Sequence, residues 1–151
     1  MKVIFLDVDG VLNYDELFYS TSNTDGLVLS PTLLDLFRKV VQETDAKVVL
    51  SSSWRCGANS LELITSELSN RGISIYGKTP VIFGCHRGHE IELWLDSNNL
   101  VSRFAIFDDD ANAEYAVDWS QGDAKGHFFK TDFNIGLTEM IATQEIGRAH
   151  V

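Results

Sequence analysis

The sequence is poor in cysteine and has no long apolar run. Its 151 residues include two cysteines, Cys56 and Cys85, too few for a disulfide scaffold, so a reducing cytoplasm is the expected compartment. No stretch approaches the ~18 apolar residues that a membrane span needs. Acidic residues at Asp7 and Asp9 interrupt the N-terminus before a secretory cleavage site could form. We therefore expect a cytoplasmic protein without a membrane partner.

Basic residues are also scarce, since 12 Lys and Arg stand against 22 Asp and Glu, for a formal net charge of −10. Loose binding along a nucleic acid depends on Lys and Arg that neutralise phosphates, and this composition disfavours it. The charge is uneven, because residues 54–92 contain four basic and four acidic residues and are neutral overall. The net negative charge therefore lies outside residues 54–92, notably at Asp7, Asp9 and the run 108–110.

The chain does contain enough apolar material for one core, since hydrophobic residues make up 44% of it. Short apolar runs typical of buried strands alternate with patterns typical of helices. The predicted strands are residues 3–6, 47–50, 73–76, 104–107 and 127–130. The predicted helices begin near residues 31, 59, 88 and 136. This alternation predicts an α/β fold with a parallel sheet covered on both faces.

Three of the predicted strands end in residues that can bind a metal or react. Asp7 and Asp9 follow the first strand, Ser51 follows the second, and Asp108 and Asp109 follow the fourth. Ligands bind at the carboxyl ends of the strands in such sheets, so we expect these side chains to meet. Two close carboxylates suit either a metal site or a division of labour between a nucleophile and an acid/base. Several carboxylates together also suit Mg²⁺.

Two further residues indicate an anion at this end of the sheet. Gly10 allows the backbone to turn sharply, and the exposed N–H groups of such a turn can cradle a phosphate. Arg87 precedes a predicted helix whose N-terminus also favours an anion. Asp-Gly also marks ordinary turns, so the acidic residues after the fourth strand are needed to strengthen the interpretation.

The order of these motifs resembles that of the haloacid dehalogenase (HAD) superfamily over about residues 1–140. Residues 5–13 (FLDVDGVLN) resemble its first motif, residues 48–51 (VVLS) its second, Arg87 its third, and residues 105–109 (AIFDD) its fourth. The segments SSSWR and RGHEI, with the triple Asp, are similar to a narrower branch, the phosphatase module of multidomain RNA-repair proteins. The resemblance implies a Rossmann-like three-layer sandwich of about five strands. The short segments between the motifs leave no room for a sizeable cap domain.

The resemblance also implies a reaction, the hydrolysis of a phosphomonoester through an aspartyl phosphate. Asp7 would attack phosphorus. Asp9 would protonate the leaving oxygen and then activate water. Ser51 and Arg87 would hold the transferring phosphoryl group.

The cofactor that the resemblance implies is Mg²⁺. Its expected ligands are the Asp7 carboxylate, the Asp9 carbonyl, Asp108, and Asp109 directly or through water. Two assignments depend on where the strands end. Ser52 replaces Ser51 if the second strand runs one residue longer, and Asp110 exchanges roles with Asp109 if the fourth strand extends.

A site without a lid admits a bulky or polymeric phosphoester, whereas small metabolites usually need a lid. The first candidate substrate is therefore a DNA or RNA terminus, with a 3′-phosphate, or a nucleotide. Expected substrate contacts are Gly10, Ser52, Arg55, His86 and His89, unless Arg55 pairs with a nearby acidic residue instead. Trp54, Tyr14 or Phe18 could stack on a base unless Trp54 lies in the core. The alternatives are a phosphatase of a small metabolite or phosphoprotein, and a catalytically silent domain that binds phosphate or a partner.

The last seven residues, EIGRAHV, match the in-frame translation of a widely used short-read sequencing adapter. We therefore expect residues 1–144 to form a single phosphatase domain and residues 145–151 to be a non-native tail.

Overall fold

Five parallel strands form one sheet in the order β3-β2-β1-β4-β5. The computed structural model describes residues 1–21, 25–115, 117 and 125–150. The strands are β1 (Lys2–Leu6), β2 (Lys47–Leu50), β3 (Ile75–Lys78), β4 (Arg103–Asp108) and β5 (Lys125–Lys130). The chain moves outward from β1 to β3 on one side and then crosses to β4 on the other. The strand order therefore reverses between β1 and β4, where such folds place their ligand crevice.

Helices cover both faces of this sheet. They are α2 (Pro31–Thr44), α3 (Ala58–Ser69), α4 (Arg87–Asp96) and α5 (Glu139–Ala149). A further short helix, α1 (Asp15–Ser20), precedes them in the chain and buries none of its residues. One apolar cluster joins α2, α3 and α5 to the face of β1 that carries Ile4 and Leu6. The other joins α4 to the opposite face, where Trp94 packs edge-on against Phe5 at 5.4 Å between ring centroids. The predicted three-layer Rossmann-like sandwich is confirmed.

The local sequence explains where the longest helix begins and ends. The Ser30 hydroxyl accepts a hydrogen bond from the N–H of Leu33, and Pro31 occupies the first turn of α2, where no backbone donor is needed. At the other end, Asp45 adopts a left-handed conformation (φ 56°) and donates its N–H to the carbonyl of Val41. The helix therefore has the beginning that the Ser-Pro pair predicts.

Some predicted boundaries were wrong. The third strand lies at Ile75–Lys78 rather than 73–76, because the N–H of Ile73 still donates to the Leu68 carbonyl at the end of α3, at 2.9 Å, and pairing with β2 begins at Ile75. The last helix begins at Glu139, where the Thr138 hydroxyl caps it, three residues after Gly136. The short helix α1 and two 3₁₀ turns, Ser53–Cys56 and Ala111–Ala113, were not predicted.

The connections between strands, as far as the structure describes them, contain at most two α-helices, with 3₁₀ turns, and no cap domain. None of the described helices is long and apolar enough to cross a membrane. Residues 145–149 of the predicted tail lie in α5, with Glu145 buried. Whether this segment is native stays a prediction.

Candidate active site

Asp7, Ser51 and Asp108 form one row across the three central strands. The N–H of Ser51 donates to the Leu6 carbonyl at 3.1 Å, and the N–H of Asp7 donates to the Phe107 carbonyl at 3.0 Å. These bonds continue the sheet one residue past β1 and β2, so the three residues are neighbours in register. Side chains of paired residues in a sheet point to the same face. The row therefore confirms that these strand ends meet.

Three carboxylates converge at the end of β1 and β4. Asp7, Asp108 and Asp109 each offer an oxygen atom, and these atoms lie within 4.8 Å of one another. Asp7 and Asp108 are buried, and Asp109 is half-buried. The nearest cation is Arg87 in the first turn of α4, whose Nη1 lies 2.7 Å from Asp108 Oδ2 and 3.1 Å from Asp7 Oδ1. The cluster thus contains three carboxylates and one guanidinium, which contacts two of them.

This imbalance perturbs the acid–base properties of the cluster. Burial, and then the charge of Asp108, raises the pKa of the Asp7 carboxyl well above its ordinary value, although Arg87 opposes the shift. Burial, with the charge of Asp108, also raises the pKa of Asp109. Burial disfavours the charged form of Arg87, yet Asp7 and Asp108 raise its pKa overall. The carboxylates repel one another and keep Arg87 charged.

The donor set fits Mg²⁺. A hard divalent cation binds carboxylate oxygens and water, and it would neutralise the negative charge of the cluster that Arg87 alone does not neutralise. Gly10 leaves space for the Asp109 carboxylate, because a Cβ at position 10 would clash with Asp109 Oδ2, and the φ of +80° at Gly10 also favours glycine. The Thr131 hydroxyl fixes the same turn by donating to the Gly10 carbonyl at 2.6 Å.

The neighbouring Asp110 is directed elsewhere. It is exposed, and its Oδ1 accepts a hydrogen bond from the N–H of Asn112 at 2.9 Å, which caps the 3₁₀ turn Ala111–Ala113. Strand β4 does extend one residue further than predicted, to Asp108. Even so, the geometry favours Asp109 over Asp110 for the metal.

The hydroxyls of Ser51 and Ser52 also differ in their surroundings. Ser51 Oγ is buried and has no hydrogen-bond partner among the described residues. Ser52 Oγ accepts a hydrogen bond from the N–H of Trp54 at 3.1 Å and so caps the 3₁₀ turn after β2. A buried hydroxyl without a partner is costly unless a ligand satisfies it. Ser51 is therefore the better candidate for binding a phosphoryl oxygen.

Asp9 lies beside the carboxylate cluster rather than in it. It is half-buried, and its Oδ1 accepts two hydrogen bonds, from Trp54 Nε1 at 3.0 Å and from Asn13 Nδ2 at 2.9 Å. A metal bond from the Asp9 carbonyl stays a prediction. The contact with Trp54 was not predicted, although Asn13 lies in the quoted motif FLDVDGVLN, four residues after Asp9.

Arg55 is expected either to contact substrate or to pair with a nearby acidic residue, and its observed contacts, which include the Glu90 carboxylate, are all with the protein. Its side chain is only 5% exposed. Its guanidinium donates to the carbonyls of Ser51, Ser52, Thr79 and Pro80 and to the Glu90 carboxylate. The arginine thus ties the end of β2 to the segment after β3 and to α4. This geometry favours a role in holding the site together over contact with a substrate.

The aromatic and histidine side chains that were expected to contact substrate lie in different surroundings. Trp54 is 4% exposed and so is not a surface on which a base can stack. Phe18 stacks on Phe133, with 5.8 Å between centroids, and Tyr14 packs against the core. His86 is exposed beside Arg87 and His89 is half-buried one turn into α4. The exposed Tyr115 ring, which was not predicted, lies 4.6 Å from the ring of His86.

A protein-family model described as "HAD domain in Swiss Army Knife RNA repair proteins" matches residues 3–142. This range includes all of the site residues described above. Comparisons with curated proteins and with solved structures gave no match.

Proposed function

The chain belongs to the family of HAD domains in Swiss Army Knife RNA repair proteins, and from this premise we propose that it is a Mg²⁺-dependent phosphomonoesterase working through an aspartyl phosphate on Asp7. Family membership implies phosphatase-type hydrolase activity. The observation that carries the finer proposal is the row of Asp7, Ser51 and Asp108, with Arg87 bound to both aspartates.

In the first step, a carboxylate oxygen of Asp7 attacks phosphorus and the bond from phosphorus to the leaving oxygen breaks. Asp9 gives its proton to that oxygen, so the substrate leaves as an alcohol. Ser51 and Arg87 hold the phosphoryl oxygens as their charge is redistributed. The unpartnered Ser51 hydroxyl and the position of Arg87, 3.1 Å from Asp7, support these roles.

In the second step, water attacks phosphorus and the bond to the Asp7 oxygen breaks. Asp9, now ionised, takes the proton from this water, and inorganic phosphate is released. Bound Mg²⁺, held by Asp7, Asp108 and Asp109, would reduce the repulsion between the phosphoryl oxygens and the attacking carboxylate.

The proposed substrate is a nucleic-acid end, with a 3′-phosphate, or a nucleotide. The absence of a cap among the described connections leaves room for a polymer end. Exposed rings also lie near Arg87. His86 precedes Arg87 in the chain and its ring contacts that of Tyr115, and the fully exposed Phe83 lies four residues before Arg87. Aromatic rings of this kind can stack on a base, and residues 54–92 carry no net charge to repel a polyanion.

The test compares phosphate release in Mg²⁺ from 3′-phosphorylated DNA and RNA oligonucleotides with release from 5′-phosphorylated oligonucleotides, mononucleotides, sugar phosphates and phosphopeptides. We expect the 3′-phosphorylated ends or nucleotides to give the highest kcat/KM. Uniformly slow turnover of every oligonucleotide and nucleotide would refute this substrate class and favour a metabolite or phosphoprotein. A protein that binds phosphate but releases none from any compound would be the silent domain. Full activity in Asp7→Asn would refute the covalent mechanism.

A further inference from the structure

We infer that Trp54 is a positioning residue for Asp9. Its indole N–H, together with the Asn13 amide, holds one oxygen of the Asp9 carboxylate, Oδ1, and leaves the other, Oδ2, to exchange the proton with the substrate. The inference rests on the proposed function, because that function gives Asp9 its two proton transfers.

The two hydrogen bonds to Asp9 have ordinary lengths and come from buried donors. Trp54 Nε1 lies 3.0 Å and Asn13 Nδ2 lies 2.9 Å from Asp9 Oδ1. Trp54 is 4% exposed and Asn13 is fully buried, so neither donor can exchange its partner for bulk water. A buried indole N–H needs an acceptor, and a carboxylate is a strong one. No hydrogen bond between described residues reaches Asp9 Oδ2. The two oxygens of this carboxylate are therefore not equivalent.

The backbone of Trp54 is itself fixed on both sides. Ser52 Oγ accepts a hydrogen bond from its N–H at 3.1 Å, and the Ser60 hydroxyl donates to its carbonyl at 2.7 Å. The next residue, Arg55, donates to the Ser51 and Ser52 carbonyls at 2.7 Å each. The direction of the indole is thus determined by the same turn that carries the Ser51 hydroxyl.

This arrangement links the residue that holds the phosphoryl oxygen to the residue that transfers the proton. The turn after β2 carries Ser51, and the turn after β1 carries Asp9, 45 residues from Trp54. The indole joins these turns, so the proton donor has a fixed position relative to the group that holds the phosphoryl oxygen. Small displacements of a reacting group are costly, since a misplacement of about 1 Å can slow a reaction by roughly 10²-fold.

Trp54 also packs in the core, and a structural role alone would predict a different pattern of rates. A proton donor matters when the leaving oxygen is basic and matters little when it is not. Transfer of a phosphoryl group from an alkyl phosphate needs the donor, whereas transfer from 2,4-dinitrophenyl phosphate does not. The quantity to compare is kcat/KM, because it reports only the steps up to formation of the aspartyl phosphate.

The experiment measures kcat/KM for both phosphates in Trp54→Phe, which keeps an aromatic ring and removes the N–H. We expect about a tenfold loss for the alkyl phosphate and less than about a twofold loss for 2,4-dinitrophenyl phosphate. The matched control is Trp94→Phe, another buried tryptophan, on the opposite face of the sheet. It should change both values by the same factor. Asp9→Asn should show the pattern of Trp54→Phe with a larger loss.

Equal losses for the two phosphates in Trp54→Phe would overturn the inference and leave the proposed function standing. A wild-type protein that releases no phosphate from either compound would instead overturn the proposed function, and the inference with it. If Trp54→Phe fails to fold by circular dichroism, benzothienylalanine at position 54 keeps the shape of the indole and removes only the N–H. An unchanged ratio of the two kcat/KM values in that variant would equally overturn the inference.

Discussion

Asp7→Asn should abolish activity and yet stabilise the metal-free protein at neutral pH. Burial, and then the charge of Asp108, raises the pKa of Asp7 well above its ordinary value of 3.8, which means that the folded protein disfavours this carboxylate. Asparagine has nearly the same shape and no charge. The substitution therefore removes an unfavourable charge from the folded state while leaving Arg87 its contact with Asp108 at 2.7 Å.

The magnitude follows from the distances at the site. Two carboxylates within 4.8 Å of each other repel by at least about 3.5 kcal/mol at an effective dielectric constant of about 20, and Asp7 faces two of them, of which Asp109 is the more exposed. Arg87, 3.1 Å from Asp7, attracts it by about 5 kcal/mol on the same scale. Because these contributions largely offset one another, the desolvation of the buried carboxylate remains. Burial of the asparagine amide also has a cost, so the net gain is roughly 1–2 kcal/mol. That corresponds to a rise in Tm of roughly 3–6 °C.

The pH dependence has a definite sign. A group whose pKa is raised on folding contributes stability below its unfolded pKa, and this contribution is lost as pH rises through the folded pKa. The wild type is therefore penalised at pH 7.5, and the advantage of Asp7→Asn should shrink towards pH 4. Saturating Mg²⁺ should stabilise the wild type more than the variant, by about 2.7 kcal/mol at 100 times its Kd.

The assay is thermal unfolding by circular dichroism, in EDTA and in Mg²⁺, at both pH values. Asp35→Asn is the control, because Asp35 forms an exposed ion pair with Arg71 at 2.8 Å and should change stability by less than about 1 kcal/mol. A metal-free Asp7→Asn protein that melts below the wild type at pH 7.5 would refute the electrostatic reasoning.

Four further substitutions test other parts of the site. Gly10→Ala should lower the free energy of unfolding in urea by about 1–3 kcal/mol and weaken Mg²⁺ binding in calorimetry, because φ is +80° and the new Cβ would meet Asp109. An unchanged unfolding free energy and Mg²⁺ affinity would contradict this contact between Gly10 and Asp109. Ser51→Ala should keep the urea midpoint and lose about 10²-fold in kcat/KM. Ser52→Ala should lose about 1 kcal/mol of stability and keep most of its activity. The reverse pattern would show that the two serines have exchanged roles. Arg87→Met should bind Mg²⁺ more tightly by calorimetry, because a competing cation is removed, and should lower kcat by about 10²-fold; weaker Mg²⁺ binding would contradict this.

Much of the fold could be predicted because its signals are local. The apolar runs of β1 and β2 and the Ser-Pro start of α2 each lie within a few residues. The third strand was misplaced by two residues because the N–H of Ile73 donates to the Leu68 carbonyl at the end of α3, and the apolar pattern of residues 73–76 does not show which of them pair with β2. Helix α1 has only six residues and no side-chain cap, so it gave no comparable signal.

Some contacts of the candidate site could likewise be predicted from the sequence, and others could not. The meeting of Asp7, Ser51 and Asp108 follows from the rule that parallel strands end at one edge of the sheet. The contact of Trp54 with Asp9 spans 45 residues and requires the 3₁₀ turn after β2, which was not predicted. The binding of Arg55 to four carbonyls likewise depends on how the ends of β2 and β3 pack. Strand ends can be read from the chain, whereas contacts between loops depend on their packing.

The central claim is that Asp7 becomes phosphorylated during turnover. The most direct measurement is to quench the protein with acid during turnover of a phosphomonoester in Mg²⁺, reduce acyl phosphates with borohydride, and identify the modified peptide by mass spectrometry. The account predicts homoserine at position 7, dependent on both substrate and Mg²⁺. Steady phosphate release with an unmodified Asp7 at every quench time, or with the modification at another aspartate, would contradict it.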